Sequence, residues 1–260
     1  MPAVQQAQPA AGQAAITLTN LSLAYRDRTA VHGLSGGFET GSLTAVVGPN
    51  GGGKSSLLNA LAGQMVPVSG QVHWAPGLRA GLAWLPQQAQ IDRSFPIRVF
   101  DVVMMGDWAH HGAWRGASRQ RREMALRALQ TVGLLGLDDR SVGELSVGQF
   151  QRVLFARLLM QDAPLILLDE PFAGVDAATT ADLLALVQQW HTEGRTVLAV
   201  LHDLDAVRRH FPQTLLLARE AIAWGDTARV LTPQHLLRAR NLAEGWDGHS
   251  PWAEPLLAAA

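Results

Sequence analysis

Gly48, Gly53, Lys54 and Ser55 satisfy G-x-x-x-x-G-K-[ST] inside LTAVVGPNGGGKSSLLNALAG, residues 43–63. In this spacing glycines let successive backbone N–H groups turn inward around phosphate oxygens, and a following helix start adds positive partial charge. The lysine brings a compact cation to the outer phosphates, and the serine hydroxyl can ligate Mg²⁺. Lys54 is the only lysine among 21 basic residues. All the others are arginines, whose broad guanidinium suits bidentate surface pairing better than a tight nest.

Such a loop needs a strand before it and a helix after it. Leu43, Ala45, Val46 and Val47 form an apolar run of the right length for a buried strand, and Leu57, Leu58, Leu61 and Ala62 recur at helical spacing. Further on, LILLDE (165–170) predicts a buried parallel strand that ends on two acids. Asp169 and Glu170 then lie at its carboxyl end, where ligands bind in open α/β sheets. One acid can hold Mg²⁺ while its neighbour orients and deprotonates water, or the two can be a helix-capping acid pair. TVLAVL (196–201) predicts another buried strand, ending at His202. A histidine there can contact a γ-phosphate or position water, and it can equally be a core residue.

Other candidates surround this core. Ser146 and Gln149 fit the capping box S-x-x-Q and predict a helix start, with Gly148 allowing close approach at a second anion-binding terminus. ITLTNLSLAY (16–25) predicts a strand with Leu21, Leu23 and Tyr25 on one face. Tyr25 can stack on an adenine ring or pack halfway onto the sheet. Residues 70–74 and 81–85 read as short strands, the second ended by Pro86, Gln87 and Gln88. Gln87 can carry an amide oxygen to Mg²⁺ or to attacking water, or be a loop residue. Residues 215–217 and 221–224 read as final strands, and 233–240 as a helix.

Residues 97–137 read as helical, with Val99, Val102, Val103 and Met105, then Met124, Leu126, Leu129 and Val132, as apolar positions. Arg115, Arg119, Arg121, Arg122 and Arg127 make a solvated helix face or a phosphate-facing one. His110 and His111 alone are too few ligands for a metal site.

At 260 residues, 48% hydrophobic and 17% charged, the composition is that of an ordinary globular protein with a sizeable core. A net charge of −1 argues against a dedicated nucleic-acid binder. The lack of cysteine removes disulfides and thiolate metal sites, which fits the cytoplasm. Residues 1–15 lack the basic start and apolar core of a secretory signal and read as a disordered Ala/Gln/Pro tail. No apolar run approaches 18 residues, so any membrane role is expected to pass through a partner.

In combination, the chain resembles the nucleotide-binding subunit of an ABC transporter over roughly residues 16–230. The resemblance rests on GPNGGGKSS, LPQ ending at Gln87, LSVGQ at 145–149, LILLDE, GVD ending at Asp176, and His202. It implies an α/β P-loop NTPase fold: a RecA-like parallel-sheet core, an N-terminal antiparallel β-subdomain and an inserted α-helical subdomain at about 95–160. Residues 231–260 would be a C-terminal helix and tail.

The resemblance also implies roles. Tyr25 would stack on the adenine of ATP, and Gly48, Pro49, Asn50, Gly51, Gly52, Gly53, Lys54, Ser55 and Ser56 would hold its phosphates. Ser55, Gln87 and Asp169 would serve Mg²⁺. Glu170 would be the general base, with His202 on the γ-phosphate and Gln87 beside the attacking water. Ser146, Val147, Gly148 and Gln149 would close over ATP bound to a second copy, making a head-to-tail homodimer. Two departures stand out. Val147 replaces the first glycine of the usual LSGGQ, where a β-branched side chain can crowd the dimer contact. Ala173-Gly174-Val175-Asp176 differs from the commoner small-Ala-Leu-Asp wording.

FPIRVFDVVMMGDWAHHGAWRG (95–116) is similar to the corresponding stretch in zinc and manganese uptake systems. That implies a membrane permease as partner and, through it, a metal-binding protein. The chain would lie peripherally on the cytoplasmic face of the cell membrane. The expected cargo is zinc first, manganese second, iron or an iron chelate third, with no nucleic-acid partner. The runner-up is a soluble ABC-type ATPase acting on nucleic acid or ribosomes, whose usual coiled-coil insertion or tandem ATPase domains this chain does not show.

Overall fold

The computed structural model describes residues 14–25, 28–87, 95–108 and 118–245. Its centre is a six-stranded sheet built around three short, wholly buried strands: β3 (Leu43–Val47), β6 (Leu165–Asp169) and β7 (Thr196–Val200). These are the aliphatic runs that the sequence marks as strands, and burial on both faces is why they do not alternate with polar residues. With β5 (Leu82–Leu85), β8 (Gln213–Ala218) and β9 (Glu220–Asp226) the order is β5-β6-β7-β3-β8-β9. All neighbours are parallel except the β8–β9 hairpin.

Period-two geometry divides these strands between two apolar layers. Leu43, Ala45, Val47, Ile166, Leu168, Val197 and Ala199 face one layer. That layer is completed by α4 (Val147–Gln161) and α5 (Ala177–Thr192). Val46, Leu165, Leu167, Leu198 and Val200 face the other, with α1 (Lys54–Leu61) and a three-stranded antiparallel sheet. Each fully buried aliphatic contributes about 1.5–3 kcal/mol, so the two layers hold the strand ends in fixed relation.

The antiparallel sheet runs β2-β1-β4, from β1 (Ala14–Tyr25), β2 (Arg28–Glu39) and β4 (Ser69–Trp74). Two expectations change here. The first strand begins at Ala14, inside the stretch read as a tail, and Ala15 is fully buried. Leu21, Leu23 and Tyr25 do not share a face: the pairing with β2 shifts register between Leu23 and Ala24, and Tyr25 emerges exposed while both leucines stay buried. The two short strands expected after the phosphate helix also part company. β4 pairs with β1, whereas β5 pairs with β6 in the central sheet.

The helical region contains α2 (Val99–Met104), a 3₁₀ turn at Met105–Asp107, α3 (Arg119–Thr131) and α4. On α3 the buried positions are Ala125, Ala128, Leu129 and Val132 at its end. Met124 and Leu126 are exposed, each roughly 100° around the helix from the buried Ala125. Nor is the arginine cluster one uniform face. Arg119 pairs with Glu123 at 3.0 Å in solvent, Arg122 lies over the Phe100 ring, and Arg121 makes a largely enclosed ion pair with Asp107. Arg115, His110, His111 and Trp114 lie outside the described residues.

The chain closes with α6 (Leu204–His210), a helical turn α7 (Thr227–Val230) and α8 (Pro233–Gly245), five residues longer than expected. Among the described residues no helix is long and apolar enough to cross a membrane.

Candidate nucleotide site

The loop between β3 and α1 is wedged between the end of β8 and strand β2. A Cβ on Gly48 would stand 1.9 Å from the Leu217 carbonyl oxygen, and one on Gly53 would stand 2.2 Å from that of Ala30. Neither position accepts a side chain. Both glycines also have positive φ, 150° and 93°, which L-residues rarely adopt. Gly53 is the N-cap of α1 and offers no side-chain cap, so the donors of the first turn are left to a ligand.

Lys54 is buried, with 6% exposure, and its Nζ donates to the Gly48 and Pro49 carbonyl oxygens at 3.0 and 2.9 Å. Burial lowers its pKa from the ordinary lysine value, with Glu170 and Asp169 nearby pulling it back up. Ser55 Oγ donates to Asp169 Oδ1 at 3.1 Å, which joins the start of α1 to the end of β6. Burial raises the Asp169 pKa, opposed by the Ser55 hydrogen bond. The Ser55 hydroxyl and Asp169 carboxylate are oxygen donors of the kind hard Mg²⁺ prefers, and Gln87 lines the same cleft as Ser55.

Glu170 follows Asp169 with φ of +51°, in the left-handed region, which is costly for a side chain of this size. The kink carries it over the cleft, where its Oε1 lies 2.7 Å from His202 Nε2. The residue next to His202 has a different task. Asp203 accepts from the Asp205 and Ala206 N–H groups and caps α6.

Tyr25, Asn50–Ser56, Gln87, Glu170 and His202 line one open cleft of about 730 Å³. Tyr25 stands at its rim, where its Oη accepts from Asn59 Nδ2 at 3.3 Å. Arg28, Thr29, Ala30 and Arg219 line it too. None of these four belongs to a motif of the sequence. Arg28 stands three residues beyond Tyr25, which was a usable cue, whereas nothing local marks Arg219.

Among the described residues that line the cleft, none comes from Ser146–Gln149. That segment starts α4 with a complete capping box: Gln149 N donates to Ser146 Oγ at 3.1 Å, and Ser146 N donates to Gln149 Oε1 at 3.0 Å. Gly148 lies against Asp176, the N-cap of α5, whose carboxylate accepts from Thr179 N and Thr179 Oγ1, both at 2.9 Å. Those bonds hold the Asp176 pKa below the ordinary aspartate value. Val147 is 52% exposed and near Gly174.

A parallel sheet with a glycine-rich loop leading into a helix, and an acid pair at a neighbouring strand end, defines a P-loop nucleoside-triphosphatase. An ABC transporter family model matches residues 31–173, and the chain belongs to that family, whose ATP-binding subunits hydrolyse ATP to drive transport. It is 35% identical over 223 residues to the manganese transport system ATP-binding protein MntB of Listeria monocytogenes, covering 84% of this chain and 93% of that one. It is 38% identical over 229 residues to the zinc transport system ATP-binding protein TroB of Treponema pallidum, covering 86% of each. Among solved structures it resembles an inward-facing putative metal-chelate type ABC transporter, with a TM-score of 0.78 at 29% identity over 88% of this chain and 90% of the other.

Proposed function

We propose that this chain is the ATP-hydrolysing subunit of a divalent-metal importer, working as a head-to-tail homodimer on the cytoplasmic face of the membrane beneath a permease. The observation that carries the hydrolytic reading is the meeting, in one cleft, of Lys54, Ser55 and the Glu170–His202 pair, with the buried Asp169 bonded to Ser55 behind it. Tyr25 stacks on adenine, the 48–56 loop cradles the phosphates, and Ser55, Asp169 and Gln87 hold Mg²⁺. When bound, Mg²⁺ neutralises charge on the β- and γ-phosphates. Glu170 accepts a proton as the water oxygen bonds to the γ-phosphorus, and the bond from that phosphorus to the ADP oxygen breaks, leaving ADP and inorganic phosphate. His202 restrains Glu170 and senses the γ-phosphate.

One chain carries one phosphate loop and one Ser146–Gln149 segment, with the segment away from its own cleft. That arrangement favours two composite sites, each closed by the other copy. The relatives' manganese and zinc systems support a metal cargo. Zinc is the first to test, manganese the second, iron or an iron chelate the third. Phe95 and Trp108, 64% and 50% exposed, support docking of the permease on the 95–116 segment. A metal-binding protein delivers the ion to the permease.

The deciding experiment is purification of the chain with its membrane partner, reconstitution in vesicles, and measurement of which ion accumulates with ATP. Accumulation of none of the three would sink the cargo assignment. Trp108→Ala is expected to lower uptake several-fold while leaving basal ATPase activity intact; unchanged permease co-purification and uptake would remove the docking surface.

A further inference from the structure

The turn between β8 and β9 contributes a residue to the nucleotide cleft that no motif covers. Arg219 has φ of +62°, a left-handed conformation that an arginine rarely adopts. Its main chain joins two walls of the site. Arg219 N donates to Gly52 O at 2.8 Å, in the middle of the phosphate loop, and His32 N donates to Arg219 O at 2.7 Å, from β2. The residues before it press on the same loop: a Cβ on Gly52 would stand 2.8 Å from Leu217 O and 3.5 Å from Ala218 Cα. Arg219 is half-buried, lines the cleft, and shares that wall with Arg28 and Ala30 of β2.

We propose that Arg219 is a further nucleotide-binding residue, its peptide group bracing the phosphate loop and its guanidinium engaging the phosphate chain of the bound nucleotide. The inference rests on the ATP-site reading above. A planar guanidinium makes charge-assisted bonds to phosphate oxygens, and ATP brings several such oxygens against a loop on which Lys54 is the one cation. The left-handed turn sets the Arg219 peptide against Gly52, and the residue lines the same cleft as Lys54. Bracing and binding are separable, because glycine keeps the conformation and the peptide bonds while removing the side chain.

Arg219→Gly in the full chain is expected to melt within a few degrees of the parent and to bind ATP and ADP roughly tenfold more weakly. Adenosine affinity, read by the same titration, is expected to stay unchanged. Arg219→Lys is expected to recover part of the loss, having charge without the fork. Parental ATP affinity in Arg219→Gly would overturn the proposal, as would an equal loss of adenosine binding, which would mark a general distortion of the cleft. Lys54→Ala is run beside it. If that variant also binds ATP normally, the failure belongs to the site itself and not to Arg219.

Discussion

Two helices of this molecule begin with residues suited to an anion, and they are prepared in opposite ways. α1 starts on Gly53, which has no side chain to cap it and leaves its first-turn donors to whatever enters the loop. α4 starts on Ser146, where serine and Gln149 satisfy one another's backbone donors in a closed box. The first is a site assembled within one chain, with its lysine already held between loop carbonyls. The second is closed by its own side chains and lines no part of its own chain's cleft among the described residues. A helix terminus therefore carries little functional meaning until its cap has been read.

The contrast can be broken experimentally. Glu170→Gln removes the proposed base but neither helix start, so hydrolysis is expected to fall by about 10²–10⁴-fold. ATP should then persist and bring the α4 start of a second copy into play, visible as an ATP-dependent dimer in light scattering. A fully active monomer would refute both the base and the composite site. Lys54→Ala attacks the α1 side, and losing two or so charge-assisted bonds is expected to weaken ATP binding roughly hundredfold in titration calorimetry.

Asp169 gives the α1 side a pH dependence. Because burial raises its pKa, the folded chain without ligand holds that proton more tightly than the unfolded chain does. The stability this contributes is complete below the ordinary value of 3.8 and is lost as pH rises through the raised folded value. With Asp169 holding Mg²⁺ as proposed, the ion would compete with the same proton. Mg²⁺-dependent ATP affinity should therefore fall on acidification at a higher pH than an ordinary carboxylate would give, and Asp169→Asn should flatten that profile. The smallest expected effect is on the α4 side: Ser146→Ala loses the cap, about 1 kcal/mol, or about 2–4 °C in Tm. It should leave ATP binding by the single chain untouched while weakening the ATP-driven dimer. Normal dimerisation in this variant would make Ser146 a cap and nothing more.

What the sequence made legible follows the same physics. The central strands were readable because burial on both faces leaves continuous aliphatic runs, as in LILLDE. The helix at Ser146 was readable because capping is local chemistry. Tyr25 was misplaced on its strand because the register shift after Leu23 depends on pairing with β2, which no local pattern encodes. Met124 and Leu126 helped mark a helix but not its buried face, which is carried by Ala125, Ala128 and Leu129. Arg219 was invisible because its place comes from a turn some 165 residues beyond the loop it touches.

The solitary lysine has a practical consequence. Lys54 is the only side-chain amine in the sequence, and it is buried at the floor of the cleft. An amine-selective reagent therefore has a single side-chain target, at the place where the phosphates would bind. The extent of labelling at that one position, read by mass spectrometry after brief exposure, becomes a footprint of occupancy. It needs no fluorescent analogue and no engineered reporter, and it could be read while the protein is still attached to its membrane partner.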